Sequence, residues 1–149
     1  MIFRRARAGD LAAILALLVD DRLGAERDSL DDLAPYRAAF AQIDADPRQL
    51  LAVAEDAAGR VVATLQLTFI PGLSRGGALR GQIEAVRVAS DLRGRGIGAG
   101  MIAWAIEECR RRGCALVQLT TDRSRTDAHR FYDRLGFEAS HLGYKMVLR

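Results

Sequence analysis

Val86-Arg87-Val88-Ala89-Ser90-Asp91-Leu92-Arg93-Gly94-Arg95-Gly96-Ile97-Gly98-Ala99-Gly100 runs from an apolar strand, through a turn with glycines at 94, 96 and 98, into the start of a helix. Glycine admits left-handed backbone and lets a ligand come close. The first turn of a helix leaves N–H groups without intrahelical acceptors and carries a partial positive charge. Together these make an anion cradle whose natural guest is a pyrophosphate. Arg93 and Arg95 stand beside it to add charge-assisted hydrogen bonds, with Ile97 and Gly98 opening the helix. Two other readings compete. The turn could merely reverse the chain. It could also belong to a dinucleotide fold, since Gly94-x-Gly96-x-x-Ala99 fits that loose pattern and Asp122 lies 23 residues past Ala99. Against the second, five residues separate Val88 from Gly94, too many for the fingerprint's tight turn.

Periodicity sets the surroundings. Residues 2–7 read as a short strand, and Gly9-Asp10 opens a helix with Leu11, Ile14, Leu15 and Leu18 at helical spacing. A second helix is expected over about 31–45, with Pro35 tolerable only in its first turn. Residues 49–55 and 60–70 are strands joined by a hairpin-length connection, and residues 81–88 form a third long strand. A helix over 97–112 stacks Ile97, Met101, Ala105 and Cys109, and Gly113 caps it. Residues 115–121 are a strand. Ser124 to Asp127 has the form of a capping box for a helix carrying Ala128, Phe131, Tyr132 and Leu135, and residues 137–149 should supply two closing strands. Strands outnumber helices and come partly in hairpins, which argues against a repeating strand–helix crossover, so the expectation is an α+β domain: a mixed, mainly antiparallel sheet of about seven strands with about four helices packed on it.

Composition narrows the class. With 149 residues and 50% hydrophobic content there is material for one core, residues 1–149 forming a single domain. No stretch approaches the roughly 18 apolar residues of a membrane span, and no secretory leader is readable, so a cytoplasmic protein with no membrane partner is expected. Cys109 and Cys114 have neither CxxC nor zinc spacing, and no metal site is expected. The net charge of +3 does not favour nucleic acid. All basic side chains but Lys145 are arginines, whose planar fork suits phosphate and carboxylate.

Arg93-Gly94-Arg95-Gly96-Ile97-Gly98 matches R/Q-x-x-G-x-G/A, and Ala128-His129-Arg130-Phe131-Tyr132-Asp133-Arg134-Leu135-Gly136-Phe137 matches A-x-x-F-Y-x-x-x-G-F. Both are patterns of the GNAT superfamily of acetyl-CoA-dependent N-acetyltransferases, which this sequence resembles over essentially its whole length. Residues 103–147 are in addition similar to the bacterial aminoalkylphosphonate N-acetyltransferases. Arg125 departs from the family, standing where many relatives have asparagine.

The resemblance implies a GNAT-like fold and transfer of an acetyl group from acetyl-CoA to the primary amine of a small molecule, by direct attack in a ternary complex. It places the pyrophosphate at Arg93 to Gly98 and the pantetheine arm along the backbone of Val86 and Val88. An alkylamine with a pKa near ~10.4 is mostly protonated at neutral pH, a deficit of ~4 kcal/mol that a general base would meet. Glu84 is the candidate, on a face that period 2 would share with Gln82, Val86 and Val88. Its other reading is an exposed strand glutamate. Tyr132 is the candidate acid for the departing thiolate, or else a core aromatic. Glu26, Arg27, Arg75 and His141 are expected to border the acceptor, with Asp20, Asp21 and Arg80 as further charges there. Neither cysteine has a histidine in sequence to activate it, which disfavours a covalent route. The competing functions are a nucleotide-binding oxidoreductase and a non-catalytic CoA-binding module. A homodimer is also expected.

Overall fold

A computed structural model describes residues 1–148. Its elements run β1 (Ile2–Arg5), α1 (Leu11–Val19), α2 (Arg22–Arg27), α3 (Ala34–Ala45), β2 (Gln49–Glu55), β3 (Val61–Ile70), α4 (Ser74–Gly77), β4 (Arg80–Val88), α5 (Ile97–Arg111), β5 (Leu116–Leu119) and α6 (Thr126–Arg134). The strands form one sheet in the order β1-β2-β3-β4-β5, antiparallel from β1 to β4. The chain divides into two compact units, one of residues 1–118 and one from Leu119 onward.

β3 is the central strand. Val62, Ala63, Thr64 and Leu65 are buried in succession, which requires cover on both faces of the sheet. The single hydroxyl among them is satisfied by donation from Thr64 Oγ1 to the Ala52 carbonyl at 2.9 Å. The pairing register separates the two faces. Phe3, Ala54, Ala63 and Val88 line one; Arg4, Val53, Thr64 and Arg87 line the other.

α5 covers the first face, burying Met101, Ile102, Ala105 and Cys109. Two glycines let it sit close. A Cβ on Gly100 would stand 2.9 Å from Phe3 Cζ, and one on Gly81 would collide with Cys109 Sγ. At the far end of the helix, the Arg112 guanidinium lies 4.0 Å over the Phe69 ring. On the second face, Ala6, Ile14 and Val53 form a core onto which Leu18, Phe40 and Leu51 pack from α1, α3 and β2. Arg4 closes that edge, bonding Asp10 at 2.8 Å and Glu55 at 2.7 Å. Its guanidinium holds the Asp10 carboxyl below the usual carboxylate range.

Among the described residues, five strands and six helices replace the expected seven and four. The two closing strands are absent, because no described residue from 137 to 148 is paired in the sheet. The extra helices, α2 and α4, span six and four residues, too short to show a helical period in sequence. The capping box also fails to form. Arg125 is the N-cap of α6, while both the amide and hydroxyl of Ser124 donate to Asp122 Oδ1. Pro35 does lie in the first turn of α3, and Gly113 and Gly136 take left-handed conformations past the ends of α5 and α6.

Replacing Gly81 with alanine should therefore overpack the α5 interface and cost ~1–2 kcal/mol in urea unfolding. The Gly81→Ala/Cys109→Ala double variant should recover most of that loss. An additive double variant would show that the sulfur is not the obstacle.

Candidate active site

At the junction of β4 and α5, Gly96 is the N-cap of the helix with φ 82° and ψ 0°, and Gly94 has φ 77°. An L-residue in that region costs roughly 1–2 kcal/mol. Neither position is crowded, since a Cβ built on either meets nothing within 4 Å. Glycine is thus required by the direction of the backbone, and the space beside the turn is open. The helical ladder begins where the Gly100 amide donates to the Gly96 carbonyl at 3.0 Å. The amides of residues 97–99, including Gly98, lie before that point, where a helix offers no internal acceptor. The turn can accept a phosphate group by its backbone alone.

Ion pairs hold the turn in place. The Ser90 amide donates to Asp20 Oδ2 at 3.2 Å, and Arg60 grips Asp91 with two hydrogen bonds of 2.8 and 2.9 Å. That guanidinium keeps the Asp91 carboxyl below its ordinary range. Arg93 donates Nε to the Val88 carbonyl at 3.2 Å and Nη2 to the Asp20 carbonyl at 3.0 Å. It therefore ties the turn to the end of α1 and has Nη1 left for a ligand. Arg95 is exposed beside it.

β4 departs from regular alternation just before this junction. The register pairs Glu84 with Gln66 and Arg87 with Thr64, so Ala85 and Val86 together stand opposite Leu65. This is a bulge, with Ala85 at φ 53°. It corrects the expected face. Glu84 shares its side of the sheet with Gln82 and Arg87, and Val88 lies on the opposite side with Ala63. The bulge takes the Val86 peptide out of the regular ladder, while Arg87 Nη1 donates to the Val86 carbonyl at 2.9 Å.

The face that carries Glu84 is polar in a way the sequence reading missed. Gln118 Nε2 donates to Gln82 Oε1 at 2.9 Å, and Gln82 Nε2 donates to Glu84 Oε1 at 2.7 Å. Gln66 and Thr68 both donate to Gln49 Oε1 at 2.9 and 3.0 Å. Alternating polar residues at 66 and 68, and at 80, 82 and 84, were the available signal. The Gln82 amide thus holds one oxygen of an exposed Glu84 carboxylate.

Asp20 and Asp21 have structural partners. Asp21 caps α2 by accepting from the Gly24 amide at 2.5 Å, and its Oδ2 lies 2.9 Å from Arg87 Nε with both side chains about nine-tenths buried. Glu26 and Arg27 are exposed at the end of α2, and Arg75 is exposed in α4 at φ 56°. Arg80, half-buried, shares the face of Gln82 and Glu84. In the second unit, Tyr132 is half-buried on α6, edge-on to Phe131 at 5.1 Å and Phe137 at 5.9 Å. His141 is exposed there, with Nδ1 2.7 Å from Ser140 Oγ. Burial, and next the neighbouring Cys114 thiol, push the Cys109 thiol well above its ordinary range, the opposite of what a nucleophile needs. A cleft of about 720 Å³ beside α1 and Asp91 is lined by none of residues 93–98.

The model of the acetyltransferase (GNAT) family matches residues 11–137. An aminoalkylphosphonate N-acetyltransferase of Salmonella typhimurium is 43% identical over 68 residues, 46% of this chain and 44% of that protein. A glucosamine 6-phosphate N-acetyltransferase of Trypanosoma brucei brucei is 37% identical over 81 residues, 54% and 53% of the two chains. The chain thus spans about half the length of the curated relatives it matches. Among solved structures, a transcriptional regulator from Bacillus halodurans C-125 superposes with a TM-score of 0.95 at 44% identity, covering 99% of both chains.

The buried Asp21–Arg87 pair can be tested by Asp21→Asn, which keeps a capping oxygen and removes the charge. The variant should lose about 3 kcal/mol of stability in urea unfolding, because a nearly buried guanidinium is left without its counterion. Adding Arg87→Met should restore most of it. An unchanged midpoint for Asp21→Asn would show that the pair is structurally idle.

Proposed function

The chain belongs to the GNAT family of acetyltransferases, and on that premise we propose that it moves an acetyl group from acetyl-CoA to the primary amine of a small molecule by direct attack in a ternary complex. The observation that carries this reading is the pair of left-handed glycines, Gly94 and Gly96, open to solvent at the start of a fifteen-residue helix. Residues 11–137 match the family and take in both compact units, so residues 1–149 are read as one domain. A cytoplasmic location belongs to the same reading; no helix among the described residues is long and apolar enough to cross a membrane.

Acetyl-CoA supplies the activated thioester, and the family uses it as cosubstrate. In this reading the amides of Ile97 and Gly98 and the Arg95 side chain hold the pyrophosphate, while Arg93 braces the turn that presents them. The Val86 peptide, freed by the bulge, and the neighbouring Val88 backbone receive the pantetheine arm as an added strand. Glu84 takes the proton that the attacking amine must lose. The amide chain from Gln118 through Gln82 fixes one of its oxygens and leaves the other to work. Tyr132 returns a proton to the leaving thiolate. The burial of Cys109 supports direct transfer over a thioester on the enzyme.

We assign the acceptor to amines that also carry an anionic group. Two of the curated relatives are named for amines bearing a phosphonate or phosphate. Arg80, on the face of Glu84, is the side chain best placed to grip it, with Arg27, Arg75, Glu26 and His141 as outlying contacts.

Gly96→Glu should abolish acetyl-CoA binding in calorimetry, since the new carboxylate would fill and repel from the phosphate cradle. Retained affinity would move the cofactor elsewhere. Tyr132→Phe should lower kcat with acetyl-CoA affinity unchanged, and Glu84→Gln should lower kcat and flatten the acidic limb of the pH profile. Full turnover in both would remove those roles. Among acceptors, aminoethylphosphonate should exceed propylamine in kcat/KM by roughly 10- to 150-fold, the effect of ~1.5–3 kcal/mol from a charge-assisted pair. The reverse order would dismiss the anion-binding arginines and leave acetyl transfer intact.

A further inference from the structure

The two cysteines meet at the C-terminal end of α5, at the opposite end of that helix from the glycine turn. The helix closes with the two hydrogen bonds of a Schellman motif: the Gly113 amide donates to the Arg110 carbonyl at 3.0 Å, and the Cys114 amide to the Cys109 carbonyl at 2.9 Å. Gly113 supplies the left-handed residue between them, at φ 79°. In this motif the second bond sets the side chains of its two residues against each other. Here both are free thiols, Cys109 buried and Cys114 half-buried.

β4 leaves the sulfurs a common space. A Cβ on Gly81 would lie within 4 Å of both Sγ atoms, so residue 81 puts no side chain between them. The turn that carries them is pinned on either side. The Ala115 amide donates to the Leu79 carbonyl at 2.8 Å, and Arg112 Nη1 to the Pro47 carbonyl at 2.9 Å. We propose that Cys109 and Cys114 are a reversible dithiol–disulfide pair, a modification site for low-molecular-weight disulfides such as oxidised glutathione. The half-buried Cys114 reacts first: its thiolate attacks one sulfur of the small disulfide, forms a mixed disulfide and releases one small thiolate. Cys109 then gives up its proton and attacks Cys114 Sγ, forming the internal disulfide and releasing the second small thiolate. Two electrons and two thiol protons pass to the small disulfide, which leaves as two thiols. Burial raises the pKa of Cys109, which suits it to the second step and not the first.

The test equilibrates the full chain with mixtures of reduced and oxidised glutathione at neutral pH, folded and in concentrated urea, and reads the products by mass after thiols are blocked. A fold that holds the sulfurs together favours the internal disulfide over its formation in the unfolded chain, which must first close the loop from 109 to 114. The equilibrium constant should therefore be roughly 10- to 40-fold larger in the folded protein, the loop-closure effect for so short a ring. Excess reduced glutathione should restore both thiols. A ratio of one or less, or no internal disulfide in the folded chain, overturns the proposal. Cys109→Ser should stop at the mixed disulfide on Cys114, and Cys114→Ser should take up no glutathione while folded. A folded Cys114→Ser that is modified at Cys109 overturns the order of attack. If neither variant folds, the ratio for the unmodified chain decides by itself.

Discussion

The close approach of α5 to the sheet is the constraint on which the rest depends. A helix carrying Met101, Ile102, Ala105 and Cys109 into the core must lie almost on the strands, and Gly81 and Gly100 are where backbone meets side chain without room for a Cβ. With the helix held at that height, its first turn falls beside the end of β4. The loop between them then has to turn with positive φ at Gly94 and Gly96. The open cradle is a consequence of packing elsewhere in the domain, and so its amides are pre-organised before any ligand arrives.

The bulge in β4 is a second such constraint. One extra residue opposite Leu65 sends Glu84 and Val88 to opposite faces of the sheet and takes the Val86 peptide out of regular pairing. Ala85 holds a left-handed conformation to achieve it, a local strain that the flanking pairs of Ile83 with Leu67 and Val88 with Ala63 sustain. A carboxylate and a backbone group thus become available from the same short stretch of strand. Regular alternation would have put Glu84 and Val88 on one face.

The arginines show how little composition says about ligands. Arg4, Arg60, Arg87 and Arg93 each close a structural contact: the β1 edge, the hairpin end, the start of α2 and the glycine turn. The fork that suits phosphate equally suits two carboxylate oxygens or two carbonyls. What distinguishes Arg80 and Arg95 is where the fold leaves them, one on the polar face of the sheet and one at the mouth of the turn.

Sequence alone determined the features that act within a few residues. The glycine turn, the α5 stripe, the antiparallel meander, Pro35 at a helix start and Gly113 and Gly136 at helix ends all follow from local conformational preference or from a period of 2 or 3.6. Those preferences hold wherever the segment is placed. Tertiary structure decided whatever depends on a partner distant in the chain. The bulge is defined only by the pairing of β4 with β3, which sets Ala85 and Val86 opposite the single residue Leu65. The chain from Gln118 to Glu84 joins two strands, and the Asp21 carboxylate, legible as an acceptor contact, is taken by Arg87 from 66 positions away. The tail reads as strand, and its pattern is strand-like, but a strand is made by its neighbour, and within the described residues of one chain the segment has none.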